Sequence, residues 1–136
     1  MSPTSSTPPA GRIEVAREGE AVLFRVFGLG NMNIAPAMHD FVETALTAKF
    51  IHFALDLSAC AGMDSTFMGT LVGMSRMIEE HQGWLCLLNA SPTNRNLLEM
   101  LGVSRLVCCK DEEFPLLSLE TVPLNCETNP TRRMEQ

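Results

Sequence analysis

Three consecutive polar residues, Asp64, Ser65 and Thr66, stand between an apolar strand-like stretch and a segment with helical periodicity. A carboxylate or a hydroxyl at a helix N-terminus can cap the free backbone N–H groups. A hydroxyl there can also carry a phosphate, because those N–H groups and the helix dipole stabilise an anion. Two interpretations therefore stay open: helix capping alone, or a hydroxyl that acts as a switch.

Residues for enzymatic chemistry are scarce elsewhere in the sequence. His39, His52 and His81 are scattered, and no Ser/His/Asp set, Cys/His set or carboxylate pair can be assembled from the spacing. The segment "GLGNMN", residues 28–33, lacks the third glycine of a dinucleotide-binding fingerprint and is predicted to be a loop. The sequence thus predicts a protein that is not an enzyme, with no catalytic residues and no cofactor.

Five cysteines occur, at Cys60, Cys86, Cys108, Cys109 and Cys126. None has the C-x-x-C or Cys/His spacing of a zinc site, so no metal site is predicted. The pattern favours reduced thiols that lie mostly in the core. A thiol enzyme that uses Cys60 is a further alternative, and it would require a lowered pKa of that thiol.

Length and charge narrow the class of protein. The 136 residues fit one domain, and 46% hydrophobic residues suffice for one core. A net charge of -6 argues against nucleic acid and anionic membrane surfaces as partners. The N-terminal "MSPTSSTPPAGR" does not resemble a signal peptide, and no apolar run approaches the roughly 20 residues of a membrane span. We therefore expect a cytoplasmic protein without direct membrane insertion.

Alternating and helical patterns predict the elements that position these residues. "RIEVARE" and "AVLFRVFG" form a predicted β-hairpin with Gly19 in its turn. The remaining predicted strands are "IHFALDL", "WLCLLNA" and "RLVCC", and the predicted helices are "AMHDFVETALTAKF", "STFMGTLVGMSRMIEEHQG" and "SPTNRNLLEMLG". This order predicts an α/β fold, with a mixed β-sheet that begins as a hairpin, continues as parallel βα units and is covered by helices.

The helical periodicity also predicts which side chains face the core. The predicted inward residues are Met38, Phe41, Val42, Ala45 and Leu46 in the first helix, Phe67, Leu71, Met74 and Ile78 in the second, and Leu97, Leu98 and Leu101 in the third. Gly69 and Gly73 lie four residues apart on the second helix, where they allow either the sheet or a partner to approach closely.

Domain boundaries follow from composition. Residues 1–10 are predicted to be a disordered tail, residues 11–120 the domain, and residues 121–136 a flexible C-terminal tail. The segment "DEEFPLLSLE" begins like a helix capped by Asp111, but Pro115 predicts a short or irregular element.

The span from about Arg12 to Glu120 resembles the STAS domain of bacterial anti-sigma factor antagonists and sulphate transporters. The segment "ALDLSACAGMDSTFMGTLVGM" is similar to the family's strand, its D-S-[ST] motif and a helix with Gly69 and Leu71 at set offsets. The segment "SPTNRNLLEMLGVSRLV" is similar to the next helix and strand, in which a polar start leads to L-x-x-x-G-[LV].

The resemblance implies a phosphoprotein of signal transduction and transcription regulation. The serine after the aspartate in the family's motif, here Ser65, would be phosphorylated by an anti-sigma factor serine kinase and restored by a cognate phosphatase. The unphosphorylated protein would bind the kinase and free the sigma factor. The residues expected at the partner-binding surface are Met63, Asp64, Thr66, Phe67, Met68 and Asn31.

Two positions depart from the family pattern. Phe67 stands where the antagonists often have Gly or Ala. Neutral Asn31 stands near the position at which the family often has an acid that meets the partner. The alternative function is a non-switching STAS scaffold subunit of a stress-signalling complex or a transporter. In that case Ser65 would serve only as a helix cap. A homodimer is a further partner that the sequence leaves open.

Overall fold

The structure is a computed structural model that describes residues 10–111 and 119–124. Its strands are β1 (Arg12–Glu18), β2 (Ala21–Gly30), β3 (His52–Asp56), β4 (Cys60–Met63), β5 (Trp84–Leu88), β6 (Cys108–Lys110) and β7 (Val122–Pro123). Its α-helices are α1 (Ala35–Thr47), α2 (Ser65–Glu80) and α3 (Pro92–Met100), and a 3-10 turn follows at Val103–Arg105. In the described ranges, no helix combines the length and apolar character that crossing a bilayer requires.

The strands form one mixed sheet in the order β6-β5-β3-β2-β1-β7. β1 pairs antiparallel with both β2 and β7, whereas β2, β3, β5 and β6 pair in parallel. Gly19 occupies the β1–β2 turn with a φ of +62°, a conformation that glycine adopts without steric cost. The predicted α/β fold with an N-terminal hairpin and parallel βα units is therefore confirmed.

Alternation along the strands creates two buried faces. On β2, the side chains of Val22, Phe24 and Val26 join the main core with the helices, whereas Leu23 faces the opposite side of the sheet. The opposite side is lined by the smaller cluster of Leu23, Ala54, Cys86 and Leu88. The predicted inward residues of the first two helices are all buried in the main core.

The inner face of α3 differs from the prediction. Leu98 is buried, but Leu101 is 56% exposed, so its placement in the core was wrong. Leu101 lies after the last helical residue, where the chain turns away at Gly102 with a φ of +76°. The fully buried Asn94 points inward instead, and its Nδ2 donates a hydrogen bond to the Cys60 carbonyl oxygen at 3.0 Å.

Two strands extend the sheet beyond the prediction. β2 continues to Gly30 because β4 pairs in parallel with its end, joining Gly28 to Cys60 and Gly30 to Met63. The prediction that residues 28–30 form a loop was therefore wrong. β4 consists of four mostly small residues, a pattern with weak strand propensity.

The beginning of the predicted C-terminal tail belongs to the sheet. β7 pairs with β1, the N–H of Leu124 donates to the Ile13 carbonyl at 2.8 Å, and the Leu124 side chain packs against the main core. The Thr121 hydroxyl also donates to a Glu14 carboxylate oxygen at 2.6 Å. The predictions for residues 1–9, for the element around Pro115 and for residues 125–136 lie outside the described residues.

We expect a chain that ends at Glu120 to be less stable than one that ends at Leu124. The shorter chain loses the pairing of β7, the hydrogen bond to Glu14 and the packing of Leu124, and we expect a loss of about 2 kcal/mol. Thermal unfolding of the two chains measures the difference, which should be at least about 4 °C. Equal melting temperatures would show that residues 121–124 do not support the fold.

Candidate functional site

The aspartate of the polar triplet is the residue that caps α2. Asp64 has an extended backbone, and its Oδ1 accepts a hydrogen bond from the Phe67 N–H at 2.8 Å. Its Oδ2 accepts from the backbone N–H of Met32 at 3.1 Å, and its own N–H donates to the Gly30 carbonyl at 3.0 Å. One side chain therefore holds both the start of α2 and the loop between β2 and α1.

The two hydroxyl residues after Asp64 lie at the surface. Ser65 is the first residue of α2, and both Ser65 and Thr66 are exposed. Within the described part of the chain, neither hydroxyl makes a hydrogen bond, whereas the Thr66 carbonyl accepts one from Thr70 Oγ1 at 2.9 Å. Because Asp64 performs the capping, the expectation that Ser65 would serve only as a cap does not fit the structure.

The loop beside Ser65 presents an apolar side chain that the sequence analysis missed. Met32 is 60% exposed, and its backbone is fixed by the bond to Asp64. The half-buried Asn31 is engaged within the loop, where its Oδ1 accepts from the Asn33 N–H at 2.9 Å. The only sequence signal for Met32 was a large apolar residue within an otherwise polar loop.

Two predicted partner contacts point into the protein. Phe67 has no exposed surface and Met68 is only 3% exposed, and both side chains belong to the main core. The prediction that they offer apolar contact to a partner therefore does not fit the structure. Met63 is partly buried against the same core, so its contribution to a surface is small.

The Phe67 ring lies next to Gly30, the glycine that ends β2. A Cβ atom built on Gly30 would lie 2.9 Å from the Phe67 ring, closer than real Cβ contacts. Only a residue without a side chain at position 30 allows the ring to occupy this space. The bulky departure from the family pattern is thus accommodated inside the molecule, next to Gly30, and contributes nothing to the exposed surface.

The glycines on α2 continue the exposed surface that begins at Ser65. Gly69 and Gly73 are exposed, and a Cβ atom at either position would meet nothing within 4 Å. Their spacing of four places them on one face of the helix with Ser65. The sheet therefore does not require these glycines, and of the two interpretations only close approach by a partner stays open.

Other groups do not come together as a catalytic site in the described residues. His39, His52 and His81 have separate local partners: Asp40 and Glu43 for the first, the Trp84 ring for the second, and the Met77 carbonyl for the third. Burial raises the pKa of the Cys60 thiol, which is the opposite of what a thiol enzyme would need. The His39, Asp40 and Glu43 side chains are close enough to hold a metal ion, but such exposed acidic groups are common without one.

Comparison with known proteins identifies the family. A family model described as "STAS domain" matches residues 12–115. The chain belongs to the STAS domain family. No curated protein matches the sequence.

Solved STAS structures share the fold at low sequence identity. The anti-sigma factor antagonist SpoIIAA in its unphosphorylated form is 21% identical, with a TM-score of 0.69 over 77% of this chain and 91% of that chain. A putative anti-sigma factor antagonist from Thermotoga maritima is 18% identical, with a TM-score of 0.65 over 74% of this chain and 86% of that chain.

A STAS-like fold within a transporter is also similar. The murine anion transporter Slc26a9 is 13% identical, with a TM-score of 0.57 over 76% of this chain but only 20% of that chain. The similarity to these structures establishes the fold of this STAS domain. Its function has to be inferred from the residues at its surface.

Proposed function

We propose that this STAS domain is a non-catalytic binding module of the anti-sigma factor antagonist type. In its unmodified form it binds an anti-sigma factor that is also a serine kinase, and phosphorylation of Ser65 releases it. A phosphatase restores the binding form, and the kinase supplies the ATP site. The protein would act in the cytoplasm, where these partners and the sigma factor meet.

The observation that carries this proposal is that Asp64, and not Ser65, caps the start of α2. Asp64 satisfies the Phe67 N–H and fixes the neighbouring loop, so the exposed Ser65 hydroxyl is left without a structural role. An exposed hydroxyl on a fixed backbone is accessible to a kinase. Structures of SpoIIAA in an unphosphorylated and in a phosphorylated form show that a protein of this fold exists in both forms.

A phosphate at Ser65 would affect the partner more than the fold. It adds roughly -1.5 to -2 charges at neutral pH. The free N–H groups and the positive dipole end of α2 stabilise that charge on the protein itself. A partner surface shaped for a neutral hydroxyl beside Asp64 would instead meet a desolvated dianion next to an existing carboxylate.

The proposed partner surface consists of Met32, Ser65, Thr66, Gly69 and Gly73, and we refer to it as the α2 surface. Met32 supplies apolar area next to the hydroxyls, whereas the two glycines allow a partner backbone to come close. The half-buried Asp64 acts as a positioning residue, because its carboxylate holds the Met32 and Phe67 N–H groups. This set replaces the buried Phe67 and Met68 as the contacts of the partner.

The direct test is incubation of the full chain with ATP and a candidate anti-sigma factor kinase, followed by intact mass and site mapping. We expect one phosphate, located on Ser65. A phosphate on Thr66, or stoichiometric modification of a Ser65→Ala protein, would refute the assignment. The matched Thr66→Ala protein should still be modified.

We expect Gly69→Ala and Gly73→Ala to stabilise the isolated protein while weakening partner binding. Each alanine removes the entropic cost of a helical glycine, worth about 0.5–1 kcal/mol, and its methyl group meets open space. At the α2 surface, however, each methyl group would hold the partner away.

Thermal unfolding and binding titrations on the same samples measure both effects. The control is Ala61→Ser, at an exposed position in β4 outside the helix, which should change neither the affinity for the partner nor the melting temperature. Unchanged affinity in both glycine variants would place the partner on another surface.

A second candidate function is a non-switching STAS scaffold subunit, favoured by the similarity to part of Slc26a9. In that case the Ser65→Asp substitution should leave complex formation unchanged. A complex that is stable in the presence of ATP and shows no phosphate on this chain would favour the scaffold.

A further inference from the structure

Two cysteines face each other across neighbouring strands at one edge of the sheet. Cys86 on β5 and Cys108 on β6 are directly paired in parallel register. Their sulfur atoms lie 2.9 Å apart, and both thiols are free. No feature of the α2 surface involves these residues.

The geometry is close to that of a disulfide. Neighbouring strands lie about 4.8 Å apart, which falls within the usual Cα separation of about 4.4–6.8 Å for bridged cysteines. The sulfur separation is about 0.9 Å longer than an S–S bond of about 2.05 Å. We therefore expect a small side-chain rotation to bring the two sulfur atoms into bonding distance.

The two thiols differ in accessibility. Cys86 is 4% exposed and lies in the smaller core cluster with Leu23, Ala54 and Leu88. Burial, together with the neighbouring Cys108 thiol, raises the pKa of Cys86 to about 12. Cys108 is exposed, so a dissolved oxidant reaches it first.

We propose that Cys86 and Cys108 form a redox-responsive thiol pair, which a hydroperoxide closes to an intramolecular disulfide and a dithiol reductant reopens. The pair is a modification site separate from Ser65, and it does not depend on the proposed phosphorylation.

The chemistry balances with hydrogen peroxide as the oxidant. The Cys108 thiolate attacks one peroxide oxygen, so that an S–O bond forms, the O–O bond breaks and a sulfenic acid results. The hydroxide that leaves becomes water by taking up the proton that Cys108 had released. The Cys86 sulfur then attacks the Cys108 sulfur, so that the S–S bond forms, the S–O bond breaks, and the departing hydroxide takes up the Cys86 proton. Two thiols and one peroxide thus yield one disulfide and two waters.

The disulfide would hold a weakly attached part of the fold. β6 has three residues, all exposed, and its sheet partner in the described residues is β5. Between the two cysteines lie α3 and the 3-10 turn, so the bond would close a loop around both. Closing such a loop restricts the unfolded chain, and we expect oxidation to raise the melting temperature by at least about 4 °C.

The experiment treats the full reduced chain with hydrogen peroxide, blocks the remaining thiols by alkylation and maps the tryptic peptides. Cleavage at Arg95 and Arg105 separates Cys86 from Cys108, but Cys108 and Cys109 stay on one peptide, residues 106–110. The variants Cys108→Ser and Cys109→Ser therefore make the assignment. Cys109 is a matched control because it follows Cys108 on β6, and adjacent residues of a strand face opposite sides of the sheet.

We expect the linked peptide, and the rise in melting temperature, in the wild-type and Cys109→Ser proteins and in neither Cys108→Ser nor Cys86→Ala. The reductant should restore the free thiols. Circular dichroism of each reduced variant confirms that it is folded before oxidation. A link that survives in folded Cys108→Ser, or peroxide treatment that yields only sulfinic acid at Cys108 or only linked dimers, would overturn the proposal.

Discussion

A Ser65→Asp protein should bind its proposed partner, an anti-sigma factor kinase, at least about 30-fold more weakly than the unmodified protein. The added carboxylate would lie beside Asp64 and would be desolvated at the α2 surface. Introducing an unpaired charge at an interface typically costs about 2–5 kcal/mol, and about 2 kcal/mol corresponds to 30-fold in affinity. The fold should be unaffected because an acid at the first position of a helix interacts favourably with its dipole. Titration calorimetry measures the affinity.

The controls separate charge from shape at this position. Ser65→Ala should keep the affinity of the unmodified protein, and Ser65→Asn, which resembles Asp in size without its charge, should bind more tightly than Ser65→Asp. The single variant Thr66→Asp places the added charge one residue further along the helix. Its affinity shows how strongly the loss of binding depends on the position of the charge. Unchanged binding of Ser65→Asp, with an unchanged circular dichroism spectrum, would exclude Ser65 from the switch.

In the polar triplet, the sequence pattern does not determine which residue caps the helix. Asp64, Ser65 and Thr66 are all good N-cap residues, so composition alone could not assign the cap. A hydrogen bond of 2.8 Å from the Phe67 N–H to Asp64 decides it. The second bond of Asp64, to the Met32 N–H, joins residues 32 apart in the sequence, and no local pattern encodes such a contact.

Periodicity was the better guide to Phe67 than its position in the family motif. Phe67, Leu71, Met74 and Ile78 form the apolar stripe of α2, and all four are buried as the spacing predicts. The family motif places Phe67 two residues after Ser65, which the resemblance implies to be the phosphoacceptor. In a helix, however, residues two apart point in different directions, so this proximity does not extend to a common surface.

The strands that the sequence analysis missed depend on long-range pairing. β4 has four mostly small residues and β7 has two, including Pro123, so neither carries an apolar alternation. β4 is held by the end of β2, and β7 is held by β1. Because these partners lie far away in the sequence, weak local propensity is overridden by pairing in the folded protein.

Replacing Phe67 with alanine should lower the free energy of unfolding by about 3–5 kcal/mol, because a fully buried ring leaves a cavity in the main core. Gly30→Ala in the wild-type background should cost about 1–3 kcal/mol, since the new methyl group would lie 2.9 Å from the ring. Denaturant unfolding of both single variants measures these values. The matched control is Met32→Ala, whose exposed side chain should change stability little.

The double variant tests whether the two positions are coupled. When the Phe67 ring is removed, the methyl group of Gly30→Ala enters vacated space, so the second substitution should cost less than it does alone. We expect a coupling free energy of at least about 1 kcal/mol, compared with near additivity for residues that do not touch. Additive losses would mean that the ring does not require glycine at position 30. A positive coupling would explain how this chain accommodates an aromatic residue two positions after Ser65, the proposed phosphoacceptor, without bringing the ring to the proposed partner surface.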